Sequence, residues 1–314
     1  MTEAAATRAR LTRSAAYASI SVAILLIGLK LWAVGETGST AMLGSLADSA
    51  LDLFASLATL AGVWIAARPA DEDYRFGHGK AEALAAMLQV VLISLSAFGL
   101  AIRAIAQWID GGRVAAAEEG VVVSVIAILA TLALLLWQRR VIRRTGSLAI
   151  KADHLHYKSD LLLNLAVIAA LLLDARLGIA GADPIFGLAI ALWLGWSASR
   201  SAAEAVGHLM DREWPEEQRR QFVELAAQRP ELTNLHDLRT RHSGNLAFAQ
   251  FHVDLPGEMT IREAHEIIER VEADLTSQFP NLELLIHIDP QGHVDEPGNR
   301  LVEEDEFGKL EDRR

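Results

Sequence analysis

Asp48 and Asp52 stand four residues apart inside a stretch from Ser39 to Ala67 that carries no other charge. A carboxylate at the centre of an apolar helix costs on the order of 3 kcal/mol unless it is paired, hydrated or bound to a metal. On a helix, i and i+4 share one face, and Ser45, Asp48, Asp52, Ser56 and Thr59 form a polar stripe at steps of 3, 4, 4 and 3. A second stretch repeats the device with Asp153, His156, Asp160 and Asn164 at steps of 3, 4 and 4. Two facing helices that each offer two ligands one turn apart can surround a single ion tetrahedrally with three carboxylates and one imidazole. The candidate set is Asp48, Asp52, His156 and Asp160. The same residues would also serve interhelical hydrogen bonding or a proton relay without metal. Metal binding needs deprotonated carboxylates and a neutral His, so these ligands suggest exchange of metal for protons.

The elements that must position them are membrane helices. The chain of 314 residues is 52% hydrophobic and 22% charged, with a mean hydropathy of +0.24, too apolar for an average soluble domain and too charged to lie wholly in lipid. About 20 mostly apolar residues cross a bilayer, and six such stretches occur: Ser14 to Val34, Ser39 to Ala67, Ala83 to Ile102, Gly120 to Gln138, Ser147 to Leu173 and Pro184 to Ala205. Arg8, Arg10 and Arg13, then Arg68, Arg75 and Lys80, then Arg139, Arg140, Arg143 and Arg144 fall in alternate connections. The opposite loops, around Glu36, Asp110 to Glu119 and Asp174 to Asp183, hold Arg113 and Arg176 as their cations. The positive-inside bias places both termini in the cytoplasm. Cysteine is absent, so a metal would be held by imidazole and carboxylate. A net charge of −11 with no basic stripe excludes nucleic-acid binding.

Four segments are expected: a cytoplasmic N-terminal piece at 1–13, a six-helix membrane domain at 14–208, a cytoplasmic domain at 209–290 and an acidic, disordered tail at 291–314. Pro215 with Glu216 and Glu217 opens a helix running to about Arg229. Leu235 to His242, a turn at Ser243-Gly244-Asn245 and Leu246 to Leu255 read as a hairpin. Thr260 with Glu263 is a capping box before Ala264, Ile267, Ile268, Val271 and Leu275 at helical spacing. A last strand, Leu282 to Asp289, gives the order α-β-β-α-β of a small α+β sandwich.

Other ligand types gather outside the membrane stretches. His236, His252, His265, His287 and Asp289 converge on a second metal cluster if the sheet closes in this order, and are otherwise scattered surface groups. Asp71, Asp73 and His78 form a loading site at the cytoplasmic face or a solvated turn. Lys80 and Asp211 both fall near the cytoplasmic boundary, where a charge pair between them would tie helix positions together. No His-Glu-x-x-His pattern occurs on any span, which argues against an intramembrane metalloenzyme. A sensor that binds metal without moving it would share every ligand with a transporter.

Five segments resemble the cation diffusion facilitator family, in its bacterial zinc and iron efflux branch. They are Leu46 to Asp52, Phe76 to Glu82, His156 to Asp160, His236 to Arg241 and His287 to Asp289. The resemblance implies a homodimer in the bacterial inner membrane, six spans per protomer, a ferredoxin-like cytoplasmic domain and metal efflux by alternating access with protons as counter-ion. Carried over by position, the transport site falls on Asp48, Asp52, His156 and Asp160. A loop site falls on Asp71, Tyr74 and His78, weakened where Tyr74 replaces a His unless Asp73 rebuilds it. A cytoplasmic cluster falls on His236, His252, His265, His287 and Asp289, with Asp289 bridging two ions, and Lys80 with Asp211 falls on an interlock. His156 favours Zn2+ or Cd2+ over Fe2+. A manganese-type site would replace that His with another carboxylate or an amide.

Overall fold

The computed structural model describes residues 3–37, 40–109, 121–177, 182–279, 281–292 and 305–308. Among them are eight helices and three strands. Helices α1 (Glu3–Thr37), α2 (Thr40–Ala66), α3 (Ala81–Ile109), α4 (Val121–Thr145), α5 (Leu148–Leu177) and α6 (Ala182–Leu209) occupy the six apolar stretches. They make up one compact unit, and the residues from Met210 belong to another. The helices outrun the apolar stretches because a helix does not stop where lipid does. Thus α1 takes in most of the expected N-terminal segment and α3 extends to Ile109.

Among the described residues, α1 to α4 are long and apolar enough to cross a membrane by composition. In α5 the first turns carry Lys151, Asp153, Lys158 and Asp160, which dilute its apolar character where the chemistry sits. The outer faces are apolar, with Leu95, Phe98, Ile109, Leu129, Leu136 and Leu192 all exposed, as lipid-facing side chains must be.

Small residues set the helix spacing. A Cβ at Gly62 of α2 would lie 2.4 Å from Ala85 Cβ and 3.1 Å from the Ala81 carbonyl oxygen of α3, so the two backbones touch without an intervening side chain. Lys80 donates to the Leu209 carbonyl at 3.2 Å, placing a cation on the unsatisfied C-terminal end of α6.

In the second unit, α7 (Glu216–Ala226), β1 (Thr233–Ser243), β2 (Leu246–Leu255), α8 (Ile261–Gln278) and β3 (Leu282–Pro290) appear in the expected order. The sheet order is β1-β2-β3, with β1 antiparallel and β3 parallel to β2. The capping box closes reciprocally: Glu263 N donates to Thr260 Oγ1 at 3.3 Å, and Thr260 N donates to Glu263 Oε2 at 2.9 Å. Trp214, Phe222, Phe251, Val271 and Leu275 build the core between helices and sheet.

The tail expected to be disordered departs from that reading at 305–308. There a helical turn packs Phe307 against this core, and Glu306 accepts from Arg219 Nη2 at 2.7 Å. One aromatic anchor and one part-buried ion pair hold a segment whose composition is otherwise solvating. The rest of the tail, 293–304 and 309–314, lies outside the described residues, as does the side chain of Ser45.

Gly62→Ala is expected to destabilise the protein by about 1–3 kcal/mol through overpacking at the α2–α3 contact. Gly195→Ala, whose Cβ meets nothing within 4 Å, should leave stability unchanged or slightly raised. Thermal unfolding in detergent distinguishes the pair.

Candidate metal sites

On α2 and α5, Asp52, His156 and Asp160 each offer a ligand atom within 4.8 Å of the others. His156 Nε2 lies 2.9 Å from Asp52 Oδ1 and 3.7 Å from Asp160 Oδ2. Ligands about 2.0–2.1 Å from a tetrahedral zinc stand roughly 3.3 Å apart, a spacing these two distances bracket. The His156 side chain is 10% exposed and that of Asp160 34%, so the cluster is enclosed on one side and open on the other. Asp48, one turn before Asp52, is exposed and stands outside this cluster. Lys30 of α1 donates to Ser49 Oγ at 2.8 Å, next to Asp48 in the chain.

Directly behind the cluster, Tyr157 is buried. Its hydroxyl donates to the Ser19 carbonyl at 3.1 Å and lies 3.0 Å from Ser56 Oγ. That tie fixes α5 against α1 and α2. Asp153, one turn before His156, is fully buried. It accepts from Ser19 Oγ at 2.6 Å and Gln138 Nε2 at 2.8 Å on one oxygen, and from Gln89 Nε2 at 3.1 Å on the other. Its place in the polar stripe was visible in the sequence. Its partners Gln89 and Gln138, lone amides in apolar spans, were readable only as polar residues needing an unknown partner.

In the loop after α2, His78 Nε2 is 3.4 Å from Asp71 Oδ2. Asp71 Oδ1 accepts from the Asp73 and Tyr74 backbone N–H groups at 3.2 and 2.8 Å, as an Asx turn does. Tyr74 stacks on His78 with ring centroids 4.6 Å apart. One imidazole and one carboxylate therefore meet here. Asp73 joins through its backbone, and its exposed side chain does not rebuild the site expected of it.

In the cytoplasmic domain the strand register aligns His236 with His252 and His252 with His287 across all three strands, and Asp254 with Asp289. The row forms because each strand presents alternate residues to one face. His252 Nδ1 is 2.9 Å and His236 Nε2 3.7 Å from Asp289 Oδ2, and these three residues can hold an ion. His287 Nε2 approaches the other oxygen of Asp289 at 3.4 Å, and its ring packs 4.5 Å from that of His252. Two imidazoles with a carboxylate fit zinc in donor type and spacing.

His265 stands apart from this group. On α8 it faces Glu269 at 3.5 Å and is 69% exposed, because the helix presents it outward. Asp237, not singled out by sequence, brings Oδ2 to 3.8 Å from His252 Nε2. Register shifts in β1 on either side of His236, with Asn234 and Asp237 at positive φ, form the bulges that aim these side chains. Of the expected interlock, Lys80 binds the Leu209 carbonyl, and Asp211 accepts from Arg241 Nη1 at 3.5 Å within its own unit.

The family description "Cation efflux transmembrane domain" matches residues 16–210, and "Cation efflux protein, cytoplasmic domain" matches 214–291. The chain belongs to the cation diffusion facilitator family. The cation-efflux pump FieF of Cronobacter sakazakii is 42% identical over 281 residues, covering 90% of this chain and 93% of that protein. FieF of Pectobacterium atrosepticum is 41% identical over 288 residues, covering 92% and 96%. A solved metal-bound C-terminal domain of the CzcD transporter from Thermotoga maritima is 22% identical, covering 26% of this chain and 99% of its own, with a TM-score of 0.24. Membership of the cation diffusion facilitators makes this chain a cation efflux transporter rather than an enzyme.

Asp289→Ala is expected to weaken zinc binding at the cytoplasmic cluster by more than about tenfold, since Asp289 touches all three histidines. Asp237→Ala should weaken it less. Zinc titration of the purified full chain followed by calorimetry measures both.

Proposed function

We propose that this transporter exports zinc from the cytoplasm across the bacterial inner membrane in exchange for protons, working as a homodimer with both termini cytoplasmic. The observation that carries the reading is the convergence of Asp52, His156 and Asp160 from two membrane helices to within 4.8 Å of one another. Imidazole with carboxylates and no thiolate suits Zn2+, with Cd2+ and Fe2+ as lesser cargoes. Asp48, one helical turn from Asp52, is the fourth ligand, completed when α2 and α5 close on the ion. Its exposed position fits a site open to one side.

Loading proceeds with ionised carboxylates and neutral His156. Protonation of the same groups from the far side lowers their hold on the ion and releases it. Asp71 and His78 offer a weak waiting position, with Tyr74 adding no ionised ligand. In the domain spanning 209–290, zinc held by His236, His252, His287 and Asp289, with His265 recruited on assembly, tightens the dimer. Lys80, on the Leu209 carbonyl, ties the start of α3 to the end of α6. These readings rest on donor chemistry and position.

Zinc-dependent flux in proteoliposomes with an imposed pH gradient tests the reading. The intact protein is expected to move zinc in response to the gradient, and Asp52→Ala is expected to lose at least the roughly tenfold to hundredfold that removal of a mere supporting partner of a ligand costs. Zinc binding without flux in the intact protein would replace the transporter with a sensor. Flux indifferent to the gradient would remove the proton coupling.

A further inference from the structure

Asp153 is a carboxylate with 0% exposure in the membrane unit, and the groups that hydrogen-bond to it are Ser19 from α1, Gln89 from α3 and Gln138 from α4. All three are neutral. The titratable groups that face it are His156 on its own helix, Asp52 on α2 and the Tyr157 phenol. An ionisable group at this depth, bonded to neutral partners, is the kind of residue that carries protons through membrane transporters.

Two of its partners can reverse their polarity in place. Ser19 Oγ lies 2.6 Å from Asp153 Oδ2 and 3.1 Å from the Ala15 carbonyl, so its single proton has two acceptors to choose between. While Asp153 is anionic, Ser19 donates to it. When a proton sits on Oδ2, that O–H donates to Ser19 Oγ and the Ser19 proton turns to the Ala15 carbonyl. Gln138 Nε2, 3.1 Å from Ser19 Oγ, donates in both states. No bond is lost, and nothing beyond the proton is taken up.

Gln89 gives the second reversal. Its Nε2 is 3.1 Å from both Asp153 Oδ1 and Thr59 Oγ1, whereas its buried Oε1 has no hydrogen-bond partner. A buried acceptor left unpaired costs about 1–3 kcal/mol. Turning the amide over puts Oε1 where it accepts from the Thr59 hydroxyl and, when the single proton sits on Oδ1 instead of Oδ2, from that O–H. A proton on either carboxyl oxygen therefore finds an acceptor, Ser19 Oγ for Oδ2 and Gln89 Oε1 for Oδ1.

We propose that Asp153 is a proton-binding site separate from the metal ligands, held ready by the reversible hydrogen bonds of Ser19 and Gln89. The proposal rests on the exchange reading above. A dication one turn away at His156 favours the anion. Its departure removes that attraction and lets the proton take its place. Metal and proton then occupy neighbouring positions on one helix and exclude one another through charge.

The test compares wild-type protein with Asp153→Asn in proteoliposomes, measuring zinc flux with and without a pH gradient. The variant is expected to keep zinc flux down the zinc gradient while its stimulation by the pH gradient falls by about tenfold, the scale of one proton-linked interaction. Equal stimulation in both proteins would overturn this inference and leave the transport reading intact. Absence of stimulation in the wild type would overturn the exchange reading and this inference together. If Asp153→Asn does not fold, Ser19→Ala keeps the carboxylate and removes a donor to its anion. The pH midpoint of flux should then rise by about one unit, and an unmoved midpoint would overturn the proposal.

Discussion

Charge inside a low-dielectric slab must be answered locally, and the membrane half of this protein is organised by that requirement. Asp52 meets His156, Asp160 lies one turn along, and Asp153 is surrounded by hydroxyl and amide donors. The donors to Asp153 come from three other helices, whereas Asp52 and Asp160 share His156 of α5. Polar side chains of α1, α3 and α4 consequently meet at one carboxylate of α5. Aliphatic packing then fills the remaining surface with alanines and small side chains that allow close approach.

The helix α5 divides two tasks by rotation. Asp153 looks to Ser19, Gln89 and Gln138, while His156 and Asp160 look to Asp52. Spacing of three residues turns the side chains far enough apart to reach different neighbours while keeping them within one turn. One set is held by hydrogen bonds from neutral side chains. The other has donor atoms at spacings that an ion can fill. A similar division appears in the cytoplasmic sheet, where His236, His252 and His287 form one row while Phe251 and Val253 of β2 enter the core.

Much of this was legible in the sequence because periodicity is a physical signal. The i, i+4 pairs of Asp48 with Asp52 and His156 with Asp160 announced a shared helical face, and the capping box at Thr260 marked the start of α8. The histidine row was predictable once the strand order was right, since register follows from alternation. His265 stands outside the row within one chain because a sequence names a ligand type without saying which way its helix turns. Asp237 escaped notice because its aim depends on β-bulges, which break the alternation used to read strands. Phe307 and Glu306 were hidden by an acidic context whose average composition masks a single anchor. Gln89 and Gln138 were visible but mute, since an amide in lipid declares a need and not a partner.

The seam between α2 and α5 is narrower than those joining α2 to α3 or α5 to α6, yet it is the one across which Asp52 meets His156 and Asp160. A dication held there would act as a rivet across one of the more loosely joined seams of the bundle. Its grip would then set the stiffness of the part that must come undone for passage. Such a carrier gains speed from holding its cargo loosely, and an ion that fits too well becomes a jam.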